Sequence, residues 1–378
     1  MCTSCGIVGD GYNEDDYKSL GLITHHAYSL LDVYDLETGE KLVKIRNPWG
    51  RESWNGDWSD DSSKWQKVKP EVKRKLKPEE NKYGIFWMDF DEFRRYFNAI
   101  DICKVRDWHE TRVKGSFPSS ANGPWKFVKL YVHKKTDICL GLYQKNKRGS
   151  SSKGDFVDML VIVMEDLKNG KRKTVRNSRR ASKSYVGCDI EDLGIGQYII
   201  ACLAFKHLNG GTTMYQLDFV LTIHSTEIVV VEETDSVAEG YTHYLADTLI
   251  QLAVDEGKKQ ELDSSNISYS LSWDGLLCVI ENKDKKKYTE FQQNCTNLKN
   301  LMSSRGSAST QDVIPPRNRQ VIILMSTIDS MMGSGWYQSM SYISGNCSTL
   351  EHFGDKTRQH NPDIPKELEC LHQPRPII

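Results

Sequence analysis

No stretch of this sequence approaches the 18 or so consecutive apolar residues that a membrane-crossing helix needs, and its first residues hold no hydrophobic signal region. Charge of one sign is also missing. Fifty Lys and Arg against 51 Asp and Glu leave a net charge of −1 and a pI near 6.8, so charge makes no overall case for nucleic acid or an acidic membrane. Cysteine is not organised. Ten are scattered from Cys2 to Cys370 with no dense repeat, which excludes a disulfide scaffold and predicts reduced thiols. Histidine shows no metal-ligand spacing either: His243, His352, His360 and His372 are too dispersed, and core or surface roles are expected for them. The expectation is a soluble, cytoplasmic protein without a transmembrane segment, cofactor or metal. At 378 residues the chain has room for two or three domains, each with its own core.

What is present begins with Thr24-His25-His26-Ala27-Tyr28-Ser29 and, further on, Asn47-Pro48-Trp49-Gly50. Between them the pattern predicts two strands, over 27–36 and 41–46, joined by Glu37-Thr38-Gly39-Glu40. With Thr38-Gly39 as a two-residue loop, ideal pairing puts Asn47 opposite Leu30. That leaves Asn47 a few residues out of line with His26, so twist or a bulge must close the gap. The chemistry that wants such a pair is a cysteine nucleophile. Its thiol needs an imidazole as base, and the imidazole needs a third group on its other nitrogen, for which an amide oxygen serves without adding charge. His26 as base and Asn47 as orienter suit those two roles. A strand histidine and a turn asparagine are, by themselves, commonplace.

The surrounding text is more specific. His-Ala-Tyr-Ser, then a hairpin, then Ile-Arg-Asn-Pro-Trp-Gly, Trp54-Asn55-Gly56-Asp57-Trp58 and Gly84-Ile85-Phe86-Trp87-Met88 resemble the second half of a calpain-type, papain-like cysteine protease core. The resemblance covers residues 15–108. It implies that His26 is the catalytic base, that Asn47 orients it, and that Trp49 stands beside the substrate cleft. Phe90-Asp91-Glu92-Phe93, Asp101 to Val105 and Phe117-Pro118-Ser119-Ser120 resemble the small-optic-lobes branch. A calpain core also needs a first lobe with its cysteine in a Gly-Asp-Cys-Trp setting, and nothing like it precedes His26. Cys2 and Cys5 form a Cys-x-x-Cys that could suggest a redox pair or half a zinc site, but neither matches the nucleophile. The chain is therefore expected to be the C-terminal part of a longer protein.

The expected fold class is α+β and multidomain. Residues 1–108 make the second protease lobe, 109–226 an antiparallel β-sandwich, and 227–378 an α+β C-terminal homology domain with a loose tail. In the first, a short solvated helix is predicted near 70–76, a strand over 84–89, and an amphipathic helix over 90–97. In the second, strands are predicted at 125–132, 138–143, 157–163, 197–205 and 215–223. Residues 168–183 hold eight Lys or Arg and read as a solvated hairpin loop, or less readily as a patch for acidic lipid or an acidic partner. Arg179-Arg180-Ala181-Ser182 weakly resembles a basophilic kinase site. In the third, helical spacing covers 237–256 and 291–302. Strands are expected at 267–273, 276–281 and 321–328, a flexible polar loop at 303–310, loss of periodicity after about Cys347, and a loosely packed tail over 362–378.

Two functions fit. One is part of an intracellular calpain-like cysteine endopeptidase, acting on protein substrates, with a further protein partner for the C-terminal domain. The other is a non-catalytic, calpain-related interaction or scaffold protein. The resemblance also raises calcium, whose sites need several converging oxygen ligands at about 2.3–2.6 Å. The family's acidic positions fall on Ser53, Asp60, Tyr83 and Ile85, of which only Asp60 is acidic. No calpain-like calcium site is expected here, though Asp57 and Asp61 leave room for a different one.

Overall fold

Alternating apolar and polar residues fill most of the chain, and the protein is mostly β-sheet, as the computed structural model shows. It describes residues 2–5, 13–78, 83–102, 104–145, 156–167, 171–208, 217–329, 332–346 and 359–377, and divides into two units, Met1–Arg106 and Asp107–Ile378. Among the described residues no helix is long and apolar enough to cross a membrane.

The first unit is built on an antiparallel sheet. Its strands are β1 (Cys2–Cys5), β2 (His26–Asp35), β3 (Lys41–Arg46), β4 (Ile85–Asp89) and β5 (Phe97–Asp101), in the order β4-β3-β2-β1-β5. Both faces are covered, and the two-residue period of β4 shows why. Phe86 and Met88 point into one core with Tyr28, Val43 and Ile45, while Trp87 points into the other with Leu42, Trp58 and Trp65. Helix α1 (Glu14–Ser19) begins in a capping box in which Asn13 and Asp16 bond each other's backbone N–H. Helix α2 (Pro70–Leu76) has Pro at its first turn, and α3 (Phe90–Tyr96) is capped by Asp89. The third helix stops one residue earlier than its spacing suggests, because Phe97 turns extended to start β5.

In the second unit, nine strands come first: β6 (His109–Ser116), β7 (Lys126–Val132), β8 (Thr136–Gln144), β9 (Met159–Asp166), β10 (Arg172–Asn177), β11 (Tyr185–Leu193), β12 (Gly196–Ala204), β13 (Asp218–Ser225) and β14 (Val230–Asp235). They form two antiparallel sheets, β10-β9-β12-β7-β14 and β11-β8-β13-β6, around a shared core. The more polar strands β6, β10, β11 and β14 are sheet edges, where only one neighbour is needed; their weak apolar signal left them unpredicted. Strand β10 lies within the basic stretch expected to be a loop.

The remaining elements are α4 (Tyr244–Glu256), β15 (Lys258–Glu261), β16 (Asn266–Trp273), β17 (Gly275–Asn282), β18 (Tyr288–Lys299), β19 (Leu301–Ser303), β20 (Ser309–Ile314), β21 (Asn318–Thr327), β22 (Gly335–Gly345), β23 (His360–Asn361), α5 (Glu369–His372) and β24 (Arg375–Pro376). One sheet runs β15-β16-β17-β21-β19 with β24 beside β21, and another β22-β18-β20-β23. Helix α4 packs into the same core as the sandwich.

Several expectations are corrected here. The helix over 291–302 is instead β18 followed by β19. Phe291 and Cys295 are both buried, and a spacing of four suits one face of a strand as well as of a helix; pairing with β20 and β22 decides it. Helix α4 begins at Tyr244, not 237, because the Asp235 side chain turns the chain at Val237 and Ala238, and Gly240 takes φ +72°. The polar loop 303–310 contains Arg305, which is fully buried against Asp312 at 3.0 Å. The tail is not loose throughout: Leu368, Leu371 and His372 are buried, and β24 pairs with β21. His372 bonds the Val321 carbonyl and the Ser304 hydroxyl, and burial, aided by the Arg305 charge, lowers its pKa to about 3. His352 lies outside the described residues.

Candidate active site

The hairpin β2–β3 closes the gap between His26 and Asn47 in two steps. At the turn, Leu36 N–H donates to the Glu40 carbonyl and Gly39 takes φ +100°, so the loop is one residue longer than the two-residue ideal. Further along, the register shifts between Leu30 and Asp32, leaving Leu31 as a bulge. Past the bulge Ser29 pairs with Arg46, and continuing one residue sets Asn47 across from Tyr28, two residues from His26 rather than four. A bulge was one of the two devices the sequence demanded.

His26 Nε2 and Asn47 Oδ1 are 2.9 Å apart. Which way the amide faces is fixed by its other contacts. Asn47 Nδ2 donates to the carbonyls of Arg51 (2.6 Å) and Glu52 (3.2 Å), while Oδ1 accepts from Trp49 N–H at 3.0 Å. An amide oxygen only accepts, so Nε2 must carry the hydrogen, and Nδ1 of the neutral ring keeps its lone pair. The Trp49 ring lies over His26 with centroids 4.4 Å apart, and Tyr28 meets it edge-on at 4.9 Å. Tyr28 is itself held by Ile23 N–H, which donates to its hydroxyl. Asn47 is fully buried, whereas Trp49 is 58% exposed. The imidazole is thus held and shielded along its Nε2 side.

Two supports were not singled out in the sequence. Glu52 takes φ +57°, which turns its carbonyl to Asn47. Gly84 takes φ +76° and accepts Asn47 N–H on its carbonyl; a Cβ there would sit 2.8 Å from the Asn47 carbonyl oxygen. A glycine directly before a buried strand was the available signal. Gly84→Ala is expected to cost about 1–3 kcal/mol, from positive φ and the close approach together. Thermal denaturation measures the loss, and a side-chain NMR shift of His26 reports the displaced asparagine. An unchanged melt and an unchanged His26 shift would refute this role.

Strand β1 runs antiparallel to β2 and pairs Cys5 with His26 in the backbone register. Of the calcium-related positions, Ile85 is in β4 paired with Arg46, Tyr83 is exposed at φ +58°, and Asp57 is bound to Lys64 at 2.8 Å. Among the described residues no group of three His, Cys, Asp or Glu side chains could hold a metal ion.

The basic stretch 168–183 is engaged internally at several points. Arg180 is buried on Asp158 (Nη2–Oδ2 2.5 Å), and Arg172 lies over the Tyr241 ring at 4.6 Å. Ser182, the acceptor of the resembled kinase site, is 3% exposed, so its hydroxyl is inaccessible in the folded unit.

Residues 1–104 match the family model described as "Calpain family cysteine protease", and residues 252–346 match "Calpain-D-like, C-terminal domain". The chain is 29% identical over 216 residues to the mouse calpain-2 catalytic subunit, covering 54% of this chain and 29% of that protein. It is 45% identical over 90 residues to the rice calpain-type cysteine protease ADL1, covering 23% of this chain and 4% of that one. With the calpain-type cysteine protease DEK1 of Arabidopsis thaliana it shares 42% over 111 residues, 29% of this chain and 5% of the relative. Residues 1–104 are thus similar to the calpain-family cysteine protease domain, and residues 252–346 to a calpain C-terminal domain. It spans under a third of the length of each of these relatives.

Proposed function

We propose that this chain is part of a calpain-like cysteine endopeptidase and supplies its catalytic base and orienting amide. The observation that carries the reading is the 2.9 Å contact between His26 Nε2 and Asn47 Oδ1, with the amide orientation fixed by two carbonyls. In this mechanism His26 Nδ1 takes the proton of a cysteine thiol, and the thiolate attacks the scissile carbonyl carbon. The imidazolium then returns its proton to the leaving amine, and water attacks the resulting thioester. Asn47 holds the Nε2–H throughout, so the ring presents Nδ1 to the thiol. Trp49 covers that bond and borders the cleft for protein substrates. The nucleophile comes from a lobe with the Gly-Asp-Cys-Trp setting. We infer further that the chain belongs to the small-optic-lobes branch and acts in the cytoplasm, and that its C-terminal domain, similar over 252–346 to the Calpain-D-like C-terminal domain, serves a protein partner.

The 378-residue chain alone is expected not to hydrolyse casein. Joined to a nucleophile-bearing calpain lobe it is expected to do so, with activity abolished by a thiol alkylator. Hydrolysis by the chain alone, blocked by the alkylator, would overturn the division of labour. A joined protein that folds and stays inert would favour the non-catalytic scaffold.

We also hold that this lobe lacks a calpain-like calcium site, since only Asp60 keeps an acidic side chain at the family's positions and Asp57 is occupied by Lys64. Calorimetry on the chain is expected to show no micromolar calcium binding. Micromolar binding lost on Asp60→Ala would defeat this.

A further inference from the structure

Strand β22 is eleven residues long and, among the described residues, has a neighbour on one side only, β18. Long open edges are usually blunted by charge or proline, because their free N–H and C=O groups recruit other strands. The other edges of six residues or more in this unit follow that practice: Arg112 on β6, Lys173 on β10, Glu191 on β11 and Glu233 on β14. Strand β22, Gly-Trp-Tyr-Gln-Ser-Met-Ser-Tyr-Ile-Ser-Gly, has neither charge nor proline.

Its side chains divide cleanly. Trp336, Met340 and Tyr342 pack inward on the core around Phe291. On the opposite face stand Tyr337, 70% exposed, and Ile343, 47% exposed, with the exposed Ser339 and Ser341 between them. Met340 is the midpoint. Tyr337 and Ile343 are equidistant from it, and so are Ser339 and Ser341, and Gly335 and Gly345.

We infer that β22 pairs with β22 of a second copy of this chain, antiparallel and two-fold about Met340, joining two four-stranded sheets into one of eight. In that register Tyr337 of one copy lies against Ile343 of the other, twice by symmetry, and Ser339 lies against Ser341. An eleven-residue pair forms about ten backbone hydrogen bonds. The absence of charge means that the strand meets itself without repulsion. An unrelated extended peptide would satisfy the same backbone, but the mutual fit of the strand's two halves points to a copy of itself.

Sedimentation velocity on the 378-residue chain from ~1 to ~100 µM tests this, a range suited to an interface of one strand per copy. A dimer whose fraction rises with concentration is expected. Ser339→Lys/Ser341→Lys and Ser339→Glu/Ser341→Glu each set like charges against each other across the two-fold, and each should weaken self-association at least tenfold. Mixing the two variants should restore dimers as a heterodimer. Both sites are exposed, so far-UV circular dichroism and melting should match the parent, and Tyr337→Ser/Ile343→Ser gives a second, uncharged route to weaker association. A parent that stays monomeric, lysine variants that dimerise as well as the parent, or a mixture that stays monomeric would each overturn the inference. So would a monomer whose β22 edge binds an extended peptide instead.

Discussion

Substituting His26 with alanine is expected to remove nearly all peptide cleavage from an enzyme in which this chain is joined to a nucleophile-bearing lobe. The fall in kcat should be about 10⁴-fold or more, since a thiol without its base has no route for its proton and the leaving amine has no donor. The variant should still fold, because the ring's bonding contact is with one atom of Asn47 while that amide keeps its partners on Trp49, Arg51 and Glu52. Asn47→Ala is expected to be roughly a hundredfold milder in kcat, as an orienter tunes the base without replacing it. It should cost more in stability, about 1–3 kcal/mol, because the Arg51 and Glu52 carbonyls lose their donor. Steady-state kinetics and thermal melts on the two variants give opposite rank orders if the roles are as proposed. Turnover left intact by His26→Ala would remove His26 from the mechanism.

Arg180→Met is expected to cause the largest loss of stability in the second unit. Arg180 and Asp158 are both buried, and Arg180 also donates to the Met325 carbonyl (2.9 Å) and the Ser326 hydroxyl (2.6 Å). Asp158 further accepts from the N–H groups of Phe205 and Lys206. The pair therefore links the residue just before β9 and the segment after β10 to the end of β21. Methionine keeps the packing on Phe205 but leaves a buried carboxylate with no counter-charge. Breaking one side of such a pair costs about 3–5 kcal/mol, or roughly 10 °C in melting temperature for a unit of this size.

The pH dependence separates this cause from a packing defect. Burial alone drives the Asp158 pKa up, but the Arg180 charge and the backbone donors more than offset it and hold it below the usual carboxylate range. A lowered folded pKa contributes stability that is fully present above the unfolded value of about 3.9, and is lost as pH falls through the folded value. In the variant burial prevails, the folded pKa rises above the unfolded one, and stability improves as pH falls. The deficit against the parent should thus narrow from pH 7 towards pH 4. A deficit that is flat over that range would point to packing instead.

The hairpin shows how far the residues alone reached. Its two strands, its glycine turn and the need for an irregularity were legible, because the apolar alternation and the His–Asn separation are local facts. Where the irregularity lies, at Leu31, was not, since a bulge depends on how β2 is held by β1 on one side and β3 on the other. The misread 291–302 segment has the same origin. Buried residues four apart satisfy both periods, and only the neighbouring strands choose between them.

What the sequence determined by itself is the set of groups and the local periods: a histidine, an asparagine and a tryptophan in their motifs, the strands with strong alternation, and no excess charge. What the tertiary structure alone decided is which polar groups are buried together. Asn47 has its amide orientation, and His26 its tautomer, from the carbonyls of Arg51 and Glu52, the latter at positive φ, while the Gly84 carbonyl holds the Asn47 backbone N–H. Arg180 and Arg305 read as surface charges in polar stretches, yet each lies inside a core against an aspartate. For Arg180 the partners are distant in the chain, 22 residues away for Asp158 and as far as 146 for the bond to Ser326, and short-range periodicity carries no information at that separation.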